Sequence, residues 1–171
     1  TNSNLLMNNS VSGSTVCGTT YGATTTTPQD SFVERLDHLI KIGYFSSNEV
    51  NTIFIFGGTN DSWGGSPLGT AKYSGWVASD QLKVLPCFTY FISKAMEYAP
   101  KAKIVVVLNT YENLSQPVIP SYRADVVDYQ TPIINAVRGF KEFGSRVHLV
   151  ALNSKENNDI GLVSLHPTIS G

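Results

Sequence analysis

Thr52-Ile53-Phe54-Ile55-Phe56-Gly57-Gly58 is the stretch that decides the fold. A half-exposed strand would alternate apolar and polar residues. An unbroken β-branched and aromatic run closed by two glycines reads instead as a parallel strand buried on both faces. Lys103-Ile104-Val105-Val106-Val107-Leu108 and Val147-His148-Leu149-Val150-Ala151-Leu152 read the same way, and Asn4-Leu5-Leu6-Met7-Asn8-Asn9 reads as a shorter buried strand. Helical patterns lie between these runs. Phe32, Leu36, Leu39 and Ile40 recur at helical spacing behind Pro28, which suits a first turn. Phe88, Phe91, Ile92, Ala95 and Met96 form the stripe of a second helix, with Pro86 near its first turn and its end near Ala99-Pro100. A third helix is predicted over 124–143, stopped by Gly144. Residues 10–27 and 59–79 are rich in Gly, Ser and Thr and read as long loops, the second also carrying Trp63 and Trp76. Strands alternating with helices predict an α/β domain, a parallel sheet with helices on both faces in three layers.

The chain of 171 residues suits a single domain, 1–171. Its 42% hydrophobic and 15% charged residues are ordinary globular usage and exclude disorder for most of its length. A net charge of −1 gives no reason to expect nucleic acid or an anionic membrane as a partner. No apolar run approaches the roughly 20 residues that cross a bilayer. Cys17 and Cys87 stand far apart with no CxxC pair, so free thiols and a disulfide both remain open. The cysteines and three scattered histidines show no metal-ligand spacing, and no metal or other cofactor is expected.

In a parallel α/β sheet, ligands bind beyond the carboxyl ends of the strands. Three motifs fall at such ends: Asn8-Asn9-Ser10-Val11-Ser12-Gly13-Ser14-Thr15, Gly57-Gly58-Thr59-Asn60-Asp61, and Leu165-His166-Pro167-Thr168-Ile169-Ser170-Gly171. Each has an ordinary explanation alone: a loop glycine, a turn or helix cap at Asn60-Asp61, a surface turn at His166-Pro167. In this order they resemble the SGNH, or GDSL, hydrolase family, whose later sequence blocks contain a loop glycine, a G-x-N-D sequence and a histidine before proline. GGTNDSWGGSPLG, from Gly57 to Gly69, resembles a subgroup of these domains from gut bacteria. The resemblance spans nearly the whole chain and implies a flavodoxin-like sheet and a serine esterase.

The chemistry fits those residue types. Ester hydrolysis by a serine needs a general base near the hydroxyl, a role that suits His166. It also needs donors aimed at the oxygen that gains charge, here the Gly13 N–H and the Asn60 amide. His38 and His148 sit in a helix and a strand with no motif around them.

Two departures from the family stand out. Its G-D-S block, which carries the nucleophilic serine, does not occur in residues 1–171. Ser10, Ser12 and Ser14 occupy the oxyanion-loop position and are not assigned that role. The domain is therefore expected to lack its first strand and its closing helix. Its nucleophile would come from a preceding segment, a separate chain or a strand swapped from a neighbour. In the family's strand order 2-1-3-4-5 that strand lies between 5–9 and 52–56. The second departure is the acid. The family places Asp three residues before the histidine, where Val163 stands here. Asp159 is the nearest carboxylate and Glu156 lies further back, and a backbone carbonyl is the other candidate to orient the imidazole.

The expected activity is hydrolysis of small-acyl esters, acetyl above all, on a carbohydrate or another small molecule. Trp63, Tyr73 and Trp76 are candidates to stack on a sugar face, or else belong to the local core. A glycan role would fit a secreted or periplasmic location. The alternative is a catalytically inactive SGNH-like module that binds glycan or protein. A flavodoxin-like nucleotide binder would share the sheet, but the chain has no G-x-G-x-x-G phosphate loop.

Overall fold

The computed structural model describes residues 4–18, 31–64, 66–108 and 129–151, without the Trp63 and Ala151 side chains. Pro28, Glu156, Asp159, Val163 and His166 lie outside the described residues. Three parallel strands, β1 (Thr52–Phe56), β2 (Lys103–Leu108) and β3 (Val147–Ala151), form a sheet in the order β1-β2-β3. These are the three strands expected from the apolar runs.

The register pairs Ile55 with Val106, Val106 with Leu149, and Ile104 with Val147. Residues of this parity share one face of the sheet. Ile55, Ile104, Val106, Leu108 and Val147 are buried there. They join one core with α1 (Phe32–Lys41), which a short α2 (Tyr44–Ser47) follows, and with α4 (Val84–Tyr98) and α5 (Gln130–Arg138). Helix α1 begins in a capping box: Ser31 Oγ accepts from the Glu34 N–H at 3.2 Å, and Glu34 Oε2 accepts from the Ser31 N–H at 3.2 Å. Helix α4 buries Phe88, Ile92 and Ala95 and carries Pro86 in its first turn, where a proline's missing N–H leaves no helical bond unmade.

Four sequence expectations are corrected. Residues 4–10 form no strand, and Leu5 and Leu6 are 82% and 55% exposed. A strand exists through its ladder, and among the described residues β1 pairs with β2 alone. Nor is β1 buried on both faces: Phe54 and Phe56 are 70% and 51% exposed, because the helices joining the core lie on the Ile55 side. The loop expected from Thr59 opens at once into α3 (Thr59–Gly64), and a 3₁₀ turn spans Ala78–Leu82.

The third helix stops at Arg138 rather than Phe143. There the Tyr73 hydroxyl donates to the Ala136 carbonyl at 2.8 Å, against a bare Gly139 whose added Cβ would collide with the Tyr73 ring. Gly144, at φ +85°, shapes the turn into β3 instead, and its N–H donates to the Val147 carbonyl at 2.9 Å.

Candidate functional site

Loop 11–18 and the start of α3 meet beyond the carboxyl end of β1. Val11 to Ser14 make a turn closed by the Ser14 N–H donating to the Val11 carbonyl at 3.3 Å. Gly13 is the third residue of that turn, at φ +80°, and a Cβ there would meet nothing within 4 Å. Its need for glycine is conformational, the left-handed φ that a type II turn places at this position. The Ser14 hydroxyl donates to the Val11 carbonyl at 2.7 Å and accepts from Arg35 Nη2 at 3.2 Å. Arg35 is buried and its guanidinium stacks over the Phe32 ring, 5.0 Å from its centroid.

Asn60 reaches the same turn. Its Nδ2 donates to the Ser14 carbonyl at 2.8 Å, so the amide stands one residue from Gly13. Next to it, Asp61 is fully buried. Its carboxylate accepts the Val16 N–H at 2.8 Å, the Cys17 N–H at 3.1 Å and the Cys17 thiol at 3.0 Å. Burial nonetheless pushes the Asp61 pKa above the ordinary carboxylate range, against the lowering pull of those bonds from Cys17 and Val16. Thr15 and Val16 also extend the start of α1: their carbonyls accept the Phe32 and Val33 N–H groups at 2.9 and 3.4 Å. Gly57 completes the junction, since a Cβ there would stand 2.6 Å from the Phe32 ring and 3.0 Å from Val16.

The structure thus brings Gly13 and Asn60 together. The His166 and Asp159 positions lie outside the described residues, as does the Trp63 side chain. Tyr73 spends its hydroxyl on α5 and packs edge-on against Phe140, ring centroids 5.0 Å apart. It sits at the carboxyl end of α5. Tyr129, at the other end, donates its hydroxyl to the Ser66 carbonyl near α3 at 2.6 Å. Trp76 packs edge-on against Tyr90 of α4, with its indole N–H buried and unpaired among the described residues. The contacts of Tyr73 and Trp76 therefore run to α5 and α4 rather than to the Gly13–Asn60 junction. Sequence reasoning passed over Arg35 and read Asp61 only as part of a turn or helix cap.

The sequence profile of the GDSL-like lipase/acylhydrolase family matches residues 1–144. The chain belongs to that family. Among solved structures it resembles a protein described as a GDSL-like lipase from Bacteroides ovatus, at 27% identity and a TM-score of 0.64, over 93% of this chain and 61% of that one. A second such protein, from Bacteroides uniformis, is 26% identical with a TM-score of 0.63, over 93% of this chain and 60% of that one. The chain therefore spans about three-fifths of the length of each. No curated protein matches it. The parallel sheet with its helices is the family's α/β architecture, as the sequence led us to expect, and the resemblance of GGTNDSWGGSPLG to gut-bacterial domains agrees with the Bacteroides structures.

Proposed function

We propose that residues 1–171 carry the oxyanion and general-base half of a serine ester hydrolase acting on small-acyl esters, acetyl above all, borne on a carbohydrate or another small molecule. The observation that carries this is the hydrogen bond from Asn60 Nδ2 to the Ser14 carbonyl, beside the left-handed Gly13. An amide nitrogen has two hydrogens, so one can hold the turn while the other faces a developing oxyanion together with the Gly13 N–H. Donors fixed before the reaction need no reorganisation when charge appears. His166 is the base, oriented by Asp159 or by a backbone carbonyl. Trp63 is the remaining candidate of the three aromatics to meet the alcohol portion of the substrate.

The nucleophilic serine belongs to a strand along the free edge of β1, supplied from outside residues 1–171 or by another chain. Two features support this: β1 has a ladder partner on one side alone among the described residues, and Phe54 and Phe56 project uncovered. The domain is then one SGNH unit completed by that strand and a closing helix.

The test is turnover of nitrophenyl acetate by the protein, with labelling by a fluorophosphonate that reacts with activated serines. Labelling should fall on one serine outside residues 1–171, and His166→Ala should abolish both labelling and turnover while leaving stability within about 1 kcal/mol. Turnover unchanged by His166→Ala would overturn the assignment. Val163, standing where the family has its acid, favours a second reading, an inactive module that binds glycan or protein. Absent turnover combined with binding of acetylated oligosaccharide would decide for that second reading.

A further inference from the structure

Cys17 and Cys87 are both fully buried and both free thiols. Seventy positions apart in sequence, they come together where loop 11–18 crosses the start of α4. The Gln81 carbonyl marks the junction, since it accepts the Gly18 N–H at 2.8 Å and the Cys87 thiol at 3.1 Å. The Cys87 side chain is also the largest influence raising the Cys17 pKa, as a hydrogen-bonding neighbour, ahead of burial and the nearby Asp61 carboxylate. The esterase chemistry uses neither sulfur.

We propose that Cys17 and Cys87 are an oxidation site, a dithiol that a disulfide oxidant converts into an intramolecular bond stapling loop 11–18 to α4. One cysteine thiolate attacks the oxidant's disulfide, forming a mixed disulfide and releasing one thiol. The second cysteine thiolate attacks the protein sulfur of that mixed disulfide and releases the other. The oxidant gains two electrons and leaves as two thiols, and the protein's two sulfurs lose the corresponding hydrogens.

The surroundings tolerate that loss. Removing the Cys17 hydrogen takes one donor from Asp61, which keeps the Val16 and Cys17 N–H groups. Removing the Cys87 hydrogen takes one donor from Gln81, whose carbonyl keeps the Gly18 N–H. No buried acceptor is left unpaired, so the polar penalty that accompanies most losses of a buried donor does not arise. A raised thiol pKa and full burial make the folded dithiol slow to react, which places oxidation during folding or loop opening. The staple closes a long loop, and long closures restrict the unfolded chain most.

The inference does not depend on the esterase assignment and is tested without an activity assay. The protein is unfolded, reduced and refolded in a buffer of oxidised and reduced glutathione, then alkylated under denaturing conditions and weighed. The expected product is a monomer with no alkylatable thiol and with its Cys17 and Cys87 peptides cross-linked. It should melt on the order of 10 °C higher than the same protein with reductant. Cys17→Ala and Cys87→Ala should each lose that reductant-dependent rise. Should either variant fail to fold, the wild-type mass and melting comparison still decides. A natively folded product that keeps both thiols under excess oxidised glutathione would overturn the proposal. So would glutathione adducts without the cross-link, or a cross-linked protein that melts no higher than the reduced one.

Discussion

Loop 11–18 and segment 4–10 adjoin in sequence and differ in almost every physical respect. Segment 4–10 contains Leu5, Leu6 and Met7, all exposed, and forms no ladder. Loop 11–18 is exposed from Val11 to Gly13, but Val16 and Cys17 are fully buried and their backbone N–H groups bond to a fully buried carboxylate. Apolar composition is a reason to be buried only where a surface exists to be buried against. Backbone outside any ladder can be buried when each of its donors finds an acceptor. The Asp61 carboxylate supplies that condition for Val16 and Cys17, whereas no strand among the described residues offers segment 4–10 a ladder.

The largest expected effect lies in the ordered region. Asp61→Ala strands two buried N–H groups, at about 1–3 kcal/mol each, for a total of roughly 2–6 kcal/mol. Against a typical stability of about 5–15 kcal/mol, that should appear as a large fall in the urea midpoint. A loss below about 1 kcal/mol would mean that the loop is not held by this carboxylate. The pH dependence sharpens the comparison. Because burial raises the folded-state pKa of Asp61, the protonated carboxyl favours folding. That contribution is fully present below the ordinary value of about 3.9 and is lost as pH rises through the folded pKa. The stability of wild type relative to Asp61→Asn should therefore fall as pH rises from the acid side. A wild type that gains stability relative to the variant over that range would contradict the raised pKa.

Next in size is Asn60→Ala. Removing one oxyanion donor lowers kcat by about 10²–10³, or roughly 2.7–4 kcal/mol, with little change in KM because the bond strengthens as charge develops. The same change removes the bond to the Ser14 carbonyl, at roughly 1 kcal/mol of stability. Stopped-flow turnover and denaturant titration of one variant separate the two losses. A variant that loses stability while keeping its kcat would make Asn60 a turn anchor alone.

Gly13→Ala should cost less. No atom stands within 4 Å of the added methyl, so the penalty is the left-handed φ by itself, about 1–2 kcal/mol. Denaturation midpoints measure it, and an unchanged midpoint would show that the turn relaxes to a negative φ.

These particulars also show what the sequence made legible. The runs at 52–56, 103–108 and 147–151 are strands because continuous β-branched and aromatic residues have few other ways to be buried. The Ser31-x-x-Glu34 capping box is a local pattern that the sequence displays, but Pro28 reads as the helix start instead, whereas α1 begins at Phe32. The Gly13–Asn60 juxtaposition was legible through motif order and resemblance, although only Asn60 follows a strand of the sheet. The Asp61 clamp was not legible. A carboxylate at a helix start reads as a cap, and its partners here, Val16 and Cys17, are more than forty positions away. The early end of α5 was hidden for the same reason: the hydroxyl that meets it belongs to Tyr73, in another part of the chain. Segment 4–10 misled because the pattern of a strand does not reveal whether its partner is present.

The smallest effect belongs to the exposed side of β1 and separates two states of the protein. Phe54 is 70% exposed, so Phe54→Thr in residues 1–171 removes little buried surface and keeps a β-branched residue in the strand. Its stability should stay within about 0.5 kcal/mol of wild type. If a further strand and helix cover this face in a longer form of the protein, the same ring becomes core. There, truncating a buried aromatic should cost about 3–5 kcal/mol through lost burial and the cavity left behind. Parallel denaturation of residues 1–171 and of the longer form, each with and without Phe54→Thr, reads the difference directly. A small effect in both would leave β1 without a covering layer and would remove the support that its exposed face lends to a nucleophile strand. A large effect in the longer form alone would mean that the apolar run at 52–56 is suited to a surface completed from outside residues 1–171.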